Sequence, residues 1–233
     1  MEQTQDKRVI VTEDVTKVYE ADGIPVNALN GVDLTINKGE FTALVGPSGS
    51  GKSTFLNIIS GLDTPTDGKV FLSGKFLSEL SSKELSDFRR DNIGFVFQAY
   101  NLLPVLTVEE NVEYIMLLAG VPKSERQKRV TSMLNSVGLE GVEDRLPTQL
   151  SGGQQQRVAI ARAMVSEPDI ILADEPTANV DSKTGSDLLE MMSRLNAETG
   201  MTFIFSTHDP MVMESAHRLI TLRDGKVETD EKK

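Results

Sequence analysis

The segment Gly46, Pro47, Ser48, Gly49, Ser50, Gly51, Lys52, Ser53 constrains this chain more than any other feature. Two glycines stand five positions apart and are followed by a lysine and a hydroxyl side chain. An apolar run over residues 41–45 precedes the segment and a helical pattern over residues 52–60 follows it. Glycines let the backbone curl until successive N–H groups face one anion, and a helix start adds the positive end of its dipole. Lys52 then reaches the β- and γ-phosphates as a point charge, and the Ser53 hydroxyl suits a Mg²⁺ ion. Thr54, on the same helical turn, joins the phosphate-binding set. An ordinary Gly/Ser turn shares the composition, and the flanking strand and helix are what separate the two. The reading is a nucleoside triphosphate site.

Two more apolar runs, residues 170–173 and 201–205, read as buried strands. Helical patterns follow the first strand and the 170–173 run, the latter over residues 182–195, so β and α alternate as in a parallel sheet. Ligands of such sheets bind at the carboxyl ends of the strands. The first forty residues differ. Short strands are expected over residues 9–15, 27–29 and 32–36, with turns at Asp22–Gly23 and at residues 37–39. Another is expected over residues 69–72, ended by Ser73 and Gly74. Residues 81–164 read as mostly helical, broken at Pro104, Pro122, Gly138, Pro147 and Gly152. The expectation is one α/β domain over residues 1–233. Its parallel core and antiparallel edge layer take residues 1–80 and 165–228, and a helical subdomain takes residues 81–164.

Composition narrows the partners. The net charge is −11, and no basic stripe runs along the chain, which counts against nucleic acid as the main partner. No apolar run approaches the roughly 20 residues that span a bilayer, and the polar opening residues lack a signal peptide's apolar stretch. Zero cysteines exclude disulfides and thiolate metal sites. A cytoplasmic protein is expected, and its end at Lys233 leaves no room for a C-terminal regulatory domain.

The apolar run at 170–173 leads into Asp174 and Glu175. Asp174 at a strand end could hold Mg²⁺ directly or through water, and Glu175 could polarise an attacking water. A solvated acidic pair is the plainer alternative, and the upstream phosphate loop weighs against it. Leu150, Ser151, Gly152, Gly153 and Gln154 form a second glycine-rich segment. Ser151 can cap a helix there, giving a second anion-binding helix start, or simply an ordinary capped helix.

With these residues in place the chain resembles the ABC ATPases. The run from Leu150 through Gln154 to Arg157 is similar to that family's signature motif, and it lies between the phosphate loop and Asp174 in the family's order. The resemblance covers residues 9–227. It implies a P-loop NTPase fold: a RecA-like parallel-sheet core, an antiparallel β edge layer and an inserted α-helical subdomain. By resemblance, Tyr19 stacks on adenine, Gln98 senses the γ-phosphate and helps hold Mg²⁺, and His208 senses the γ-phosphate. Residues 178–181 match the D-loop, with Val180 where relatives usually carry leucine and Asp181 coupling across an interface. Glu175 is implied as general base. Two copies are implied to pair head to tail, so that Ser151, Gly152, Gly153 and Gln154 of one face the nucleotide of the other. His217 carries no such role and reads as surface or packing.

ATP and Mg²⁺ are therefore the expected ligands. The expected partners are a second ATPase subunit, in a homodimer formed on ATP binding, and a transmembrane permease that holds the chain at the inner face of the membrane. Residues 61–68 and 92–104 resemble the group serving lipoprotein release, macrolide export and peptide export. A cell-division-type ABC ATPase that signals through a membrane partner stays open as an alternative. A soluble DNA-repair or translation ATPase is disfavoured by length. Residues 100–106 are apolar and interrupted by Pro104. They either pack inside the helical subdomain or form a groove for a permease helix.

Overall fold

A computed structural model describes residues 7–21 and 23–233. Residues 1–6, read above as a polar opening, and Asp22 of the expected turn lie outside the described residues. In chain order come β1 (Arg8–Ala21), β2 (Ile24–Asn37), β3 (Phe41–Val45), α1 (Lys52–Ile59), β4 (Asp67–Leu72) and β5 (Lys75–Phe76). Next are α2 (Ser82–Asn92), β6 (Ile93–Val96), α3 (Val108–Leu118), α4 (Lys123–Ser136) and α5 (Gly152–Met164). The chain closes with β7 (Ile170–Asp174), α6 (Ser182–Thr199), β8 (Thr202–Thr207), α7 (Pro210–Ser215), β9 (Arg218–Arg223) and β10 (Lys226–Lys232).

The six-stranded sheet has the order β10-β9-β3-β8-β7-β6. All its pairings are parallel except that of β10 with β9. Its strands explain why they read as unbroken apolar runs: both faces are covered. In β7, Ile171 and Ala173 join one core cluster while Ile170 and Leu172 join the other, the period-2 alternation of a strand. On the first face Phe41, Phe203 and Phe205 pack with residues of α3, α4, α5 and α6. On the second, Leu44 and Ile204 meet Phe55 and Ile58 of α1 and Ile10, Val32 and Val70 of the other sheet. Each such burial contributes about 1.5–3 kcal/mol. That second sheet has the order β2-β1-β4-β5 and is antiparallel.

Two expectations need correction. The short strands expected before residue 37 are two 14-residue strands. Their alternation is interrupted where the register shifts between Thr12 and Val15, with Asp14 at φ 47° and its N–H donating to Asp33 Oδ1 at 2.8 Å. A bulge resets the period, so the sequence pattern breaks while the strand continues. The second correction concerns residues 81–164. That range contains β6, which pairs in parallel with β7 and belongs to the core sheet. Four residues are too few to show a period. Gly94 lets α5 press onto this strand: a Cβ there would stand 2.1 Å from the Ala163 carbonyl oxygen.

Candidate functional site

Four adjacent parallel strands, β3, β8, β7 and β6, end on the same side of the sheet. After them come, respectively, Gly46, His208, Glu175 and the segment holding Gln98. A cleft of about 700 Å³ opens there, lined by Tyr19, residues 26–28, residues 46–54, Gln98, Asp174, Glu175, Ser206 and His208. A second cavity of about 580 Å³ lies at the amino ends, against Lys38, Asp169 and Met201. Only the first occupies the ligand edge of such a sheet.

The phosphate loop is shaped by close approach. Gly46 has φ 147°, and a Cβ on it would lie 2.2 Å from the Leu222 carbonyl oxygen. Gly51 has φ 102°, and its Cβ would lie 2.5 Å from the Ala28 carbonyl oxygen. Gly51 is also the N-cap of α1, and no side chain caps that helix. Lys52 Nζ donates to the carbonyls of Gly46 at 2.8 Å and Pro47 at 3.1 Å, so its ammonium already lies across the loop. The hydroxyls of Ser50 and Ser206 are buried in the lining without a protein partner. Buried polar atoms of that kind are costly unless a ligand or water completes them. A chain of N–H groups, a lysine and orphaned hydroxyls makes a cradle for a polyanion.

Opposite the loop, Asp174 pairs in register with Ser206. Glu175 stands just beyond the strand at φ 46°, in a left-handed conformation that a bulky residue rarely adopts without external support. The support is visible. Its N–H donates to the Ser206 carbonyl at 2.9 Å, Thr207 Oγ1 donates to its Oε2 at 3.0 Å, and His208 Nδ1 is hydrogen-bonded to its Oε1. One carboxylate is thus aimed from two sides. Nothing in the sequence singled out Thr207, whose position two residues beyond a buried phenylalanine looks like plain strand.

Gln98 is exposed at the cleft, and its carbonyl accepts from Asn179 Nδ2 at 2.7 Å. Tyr100 Oη donates to the Asn179 carbonyl at 3.0 Å and would meet any Cβ on Gly152 at 3.0 Å. Arg162 donates to the carbonyls of Asn101 and Tyr100, two residues at positive φ, and burial lowers its pKa. The segments carrying Gln98, Asn179 and Gly152 are therefore tied together.

Ser151, Gly152, Gly153, Gln154 and Asp181 do not line the cleft. Ser151 caps α5 in a closed capping box: its Oγ accepts from the Gln154 N–H at 3.3 Å, and Gln154 Oε1 accepts from the Ser151 N–H at 3.0 Å. Asp181 caps α6, accepting from Thr184 Oγ1 at 2.6 Å and the Thr184 N–H at 3.0 Å. Those hydrogen bonds lower its pKa. Val180 packs against the main core. His217 is exposed, with its ring against Phe41.

Residues 29–178 match the family model described as ABC transporter. An uncharacterized ABC transporter ATP-binding protein of Thermotoga maritima is 47% identical over 227 residues, 97% of each chain. The macrolide export ATP-binding/permease protein MacB of Brucella melitensis is 47% identical over 222 residues, but this chain spans only 34% of that protein. The solved dimeric structure of a bacterial ABC transporter cassette superposes with TM-score 0.87 at 47% identity, covering 96% of this chain and 98% of that one. A post-hydrolysis dimer bound to ADP and Pi superposes with TM-score 0.86 at 46% identity, with the same coverage.

Proposed function

This chain belongs to the ABC transporter family as an ATP-binding, ATP-hydrolysing subunit, and from that premise we propose how its residues divide the work. The observation that carries the reading is the convergence of the phosphate loop, Asp174, Glu175, His208 and Gln98 on one cleft. The N–H groups of residues 48–53 and the start of α1 hold the β- and γ-phosphates of ATP. Lys52 exchanges its loop carbonyls for phosphate oxygens, and Tyr19 packs against the base. Ser53, Asp174 and Gln98 would hold Mg²⁺, which would supply charge neutralisation at the phosphates. Among the described residues no cluster of acidic or histidine side chains makes a metal site unaided. That donor set suits an ion bound by one or two carboxylates plus substrate phosphates.

Glu175 accepts the proton of the water that attacks the γ-phosphorus as the bond to ADP breaks. Thr207 and His208 keep its carboxylate aimed. The cleft leaves one side of the γ-phosphate open, and a second copy closes it with its own Ser151, Gly152, Gly153 and Gln154, consistent with the dimeric relatives. Asp181 then couples the two sites. Residues 81–164, apart from β6, act as the arm that carries the signature segment.

The chain works on a membrane permease, and the MacB similarity favours the export or release group over other transporters. Among the described residues no helix is long and apolar enough to cross a membrane, so the permease tethers it to the inner face. The segment at residues 100–106 supports docking there: Leu103 is 40% exposed and Val105 81% exposed, while Leu102 packs on the core. Leu103→Glu is expected to leave ATP turnover intact and abolish co-purification with the permease; a large fall in melting temperature would retire the docking role. For the ATPase reading itself, phosphate release with ATP and Mg²⁺ should rise faster than linearly with protein concentration. Strict linearity would contradict a shared site.

A further inference from the structure

The motif at residues 61–68 has no role in the reading above, yet it holds one residue of the cleft lining. Tyr19 Oη donates to Asp63 Oδ2 at 2.7 Å. Lys17 Nζ donates to Asp63 Oδ1 and to the Thr64 carbonyl, each at 2.7 Å, and stands 4.8 Å from the centre of the Tyr19 ring. Lys17 and Tyr19 are two apart on β1 and so share a face. We propose that Asp63, held by Lys17, is a positioning residue for nucleotide binding: it fixes the Tyr19 ring as the wall against which the base packs. The proposal rests on the base-packing role given to Tyr19 above.

Three observations carry it. First, Tyr19 is 38% exposed near the outer end of a hairpin, where a ring without an anchor would sample several rotamers. The Asp63 bond and the Lys17 ammonium select one of them. Second, the Asp63 carboxylate stays an acceptor. Partial burial opposes its ionisation, but hydrogen bonds from Lys17, Tyr19 and the Thr64 N–H outweigh that and lower its pKa. The salt bridge to Lys17, at 2.7 Å, offsets its charge.

Third, the anchor is mounted on the phosphate-binding helix. The N–H groups of Leu62 and Asp63 both donate to the Asn57 carbonyl, at 2.9 and 3.0 Å, and Arg89 donates to the Gly61 carbonyl at 2.6 Å. On the strand side, Thr66 Oγ1 accepts from the Val18 N–H at 2.9 Å, and the Thr66 N–H donates to the Thr16 carbonyl at 2.9 Å. Helix α1 therefore carries the phosphate cradle at its first turn and the anchor of Tyr19 just past its last. The base wall is thereby tied to the same helix that carries the phosphate cradle.

The test compares two ligands on the whole chain, ATP and inorganic tripolyphosphate, which shares the phosphates and lacks the base. Asp63→Ala and Tyr19→Phe each remove the same hydrogen bond. Each is expected to weaken ATP binding about two- to tenfold, the range of a single hydrogen bond, and to leave tripolyphosphate binding unchanged. The loss in the double variant should be less than the sum of the single losses, since both variants remove the Tyr19–Asp63 bond. Tyr19→Ala serves as the control for the wall itself. If Tyr19→Ala weakens ATP selectively while Asp63→Ala and Tyr19→Phe do not, the positioning role is overturned and the wall stands. If Tyr19→Ala also leaves the ATP-to-tripolyphosphate ratio unchanged, the wall is gone and the proposal with it. Equal losses for both ligands in Asp63→Ala, with a lowered melting temperature, would make Asp63 purely structural and overturn the proposal.

Discussion

Helices α1 and α5 both start on glycine- and serine-rich segments, and neither carries an acid in its first turn. Their first turns are completed differently. At α1 the N-cap is Gly51, which offers no side chain, and a buried Ser50 hydroxyl beside it lacks a partner. At α5 the Ser151 and Gln154 side chains satisfy each other's backbone N–H groups. An unfinished helix start holds its donors for an incoming anion, whereas a closed capping box stabilises the chain on its own, by about 1 kcal/mol. The pair therefore divides into a phosphate binder that is complete only with ligand, and a helix start that is stable alone and can contribute to a neighbour's site. The cleft geometry agrees, because residues 46–54 line it and residues 151–154 do not.

The largest effect that would break this division lies at the α1 side. Glu175→Gln should lower turnover by about 10²–10⁴-fold, the usual worth of a general base, while ATP and Mg²⁺ hold a dimer on gel filtration. Turnover at the parental rate would remove Glu175 from the role. On the α5 side, Ser151→Arg should lower turnover about 10²-fold yet leave ATP affinity of the isolated chain within about twofold, because α5 is given no part in the first binding event. Loss of affinity in that variant would show both helix starts serving one nucleotide in one chain.

Smaller changes sharpen the contrast. Gly51→Ala places a Cβ against the Ala28 carbonyl at a φ that L-residues avoid, and strain of about 1–3 kcal/mol should weaken ATP binding roughly tenfold. Ser151→Ala should instead cost stability, about 1 kcal/mol, seen as a melting temperature about 2–4 °C lower, with ATP affinity unchanged. The smallest effect separates two caps. Asp181 has a lowered pKa, so its contribution is present above the ordinary carboxylate pKa of about 4 and fades as pH falls through the lower folded value. The serine cap does not titrate there. Melting curves between neutral pH and pH 3 should converge for the parent chain and Asp181→Ser. A constant gap would show that the Asp181 cap does not depend on its charge.

Much of the cleft was legible because its residues follow apolar runs directly. Gly46 and Glu175 come right after buried strands, so the parallel-sheet rule alone puts them on one edge. Gln98 was legible only through resemblance, since β6 is four residues long and hidden inside a helix-rich stretch. The hairpin strands were underestimated because bulges near Asp14 break the alternation that marks a strand.

The sequence by itself determined the phosphate loop, the acidic strand end and the alternation of β and α, because local spacing and hydrophobic period encode all three. Only the tertiary structure decided that Thr207 steadies Glu175, that Asn179 meets Gln98, and that Asp63 holds Tyr19. The physical reason is that these hydrogen bonds join residues 32, 81 and 44 positions apart. Such pairs carry no periodicity, and packing of the sheet and helices is what brings them together.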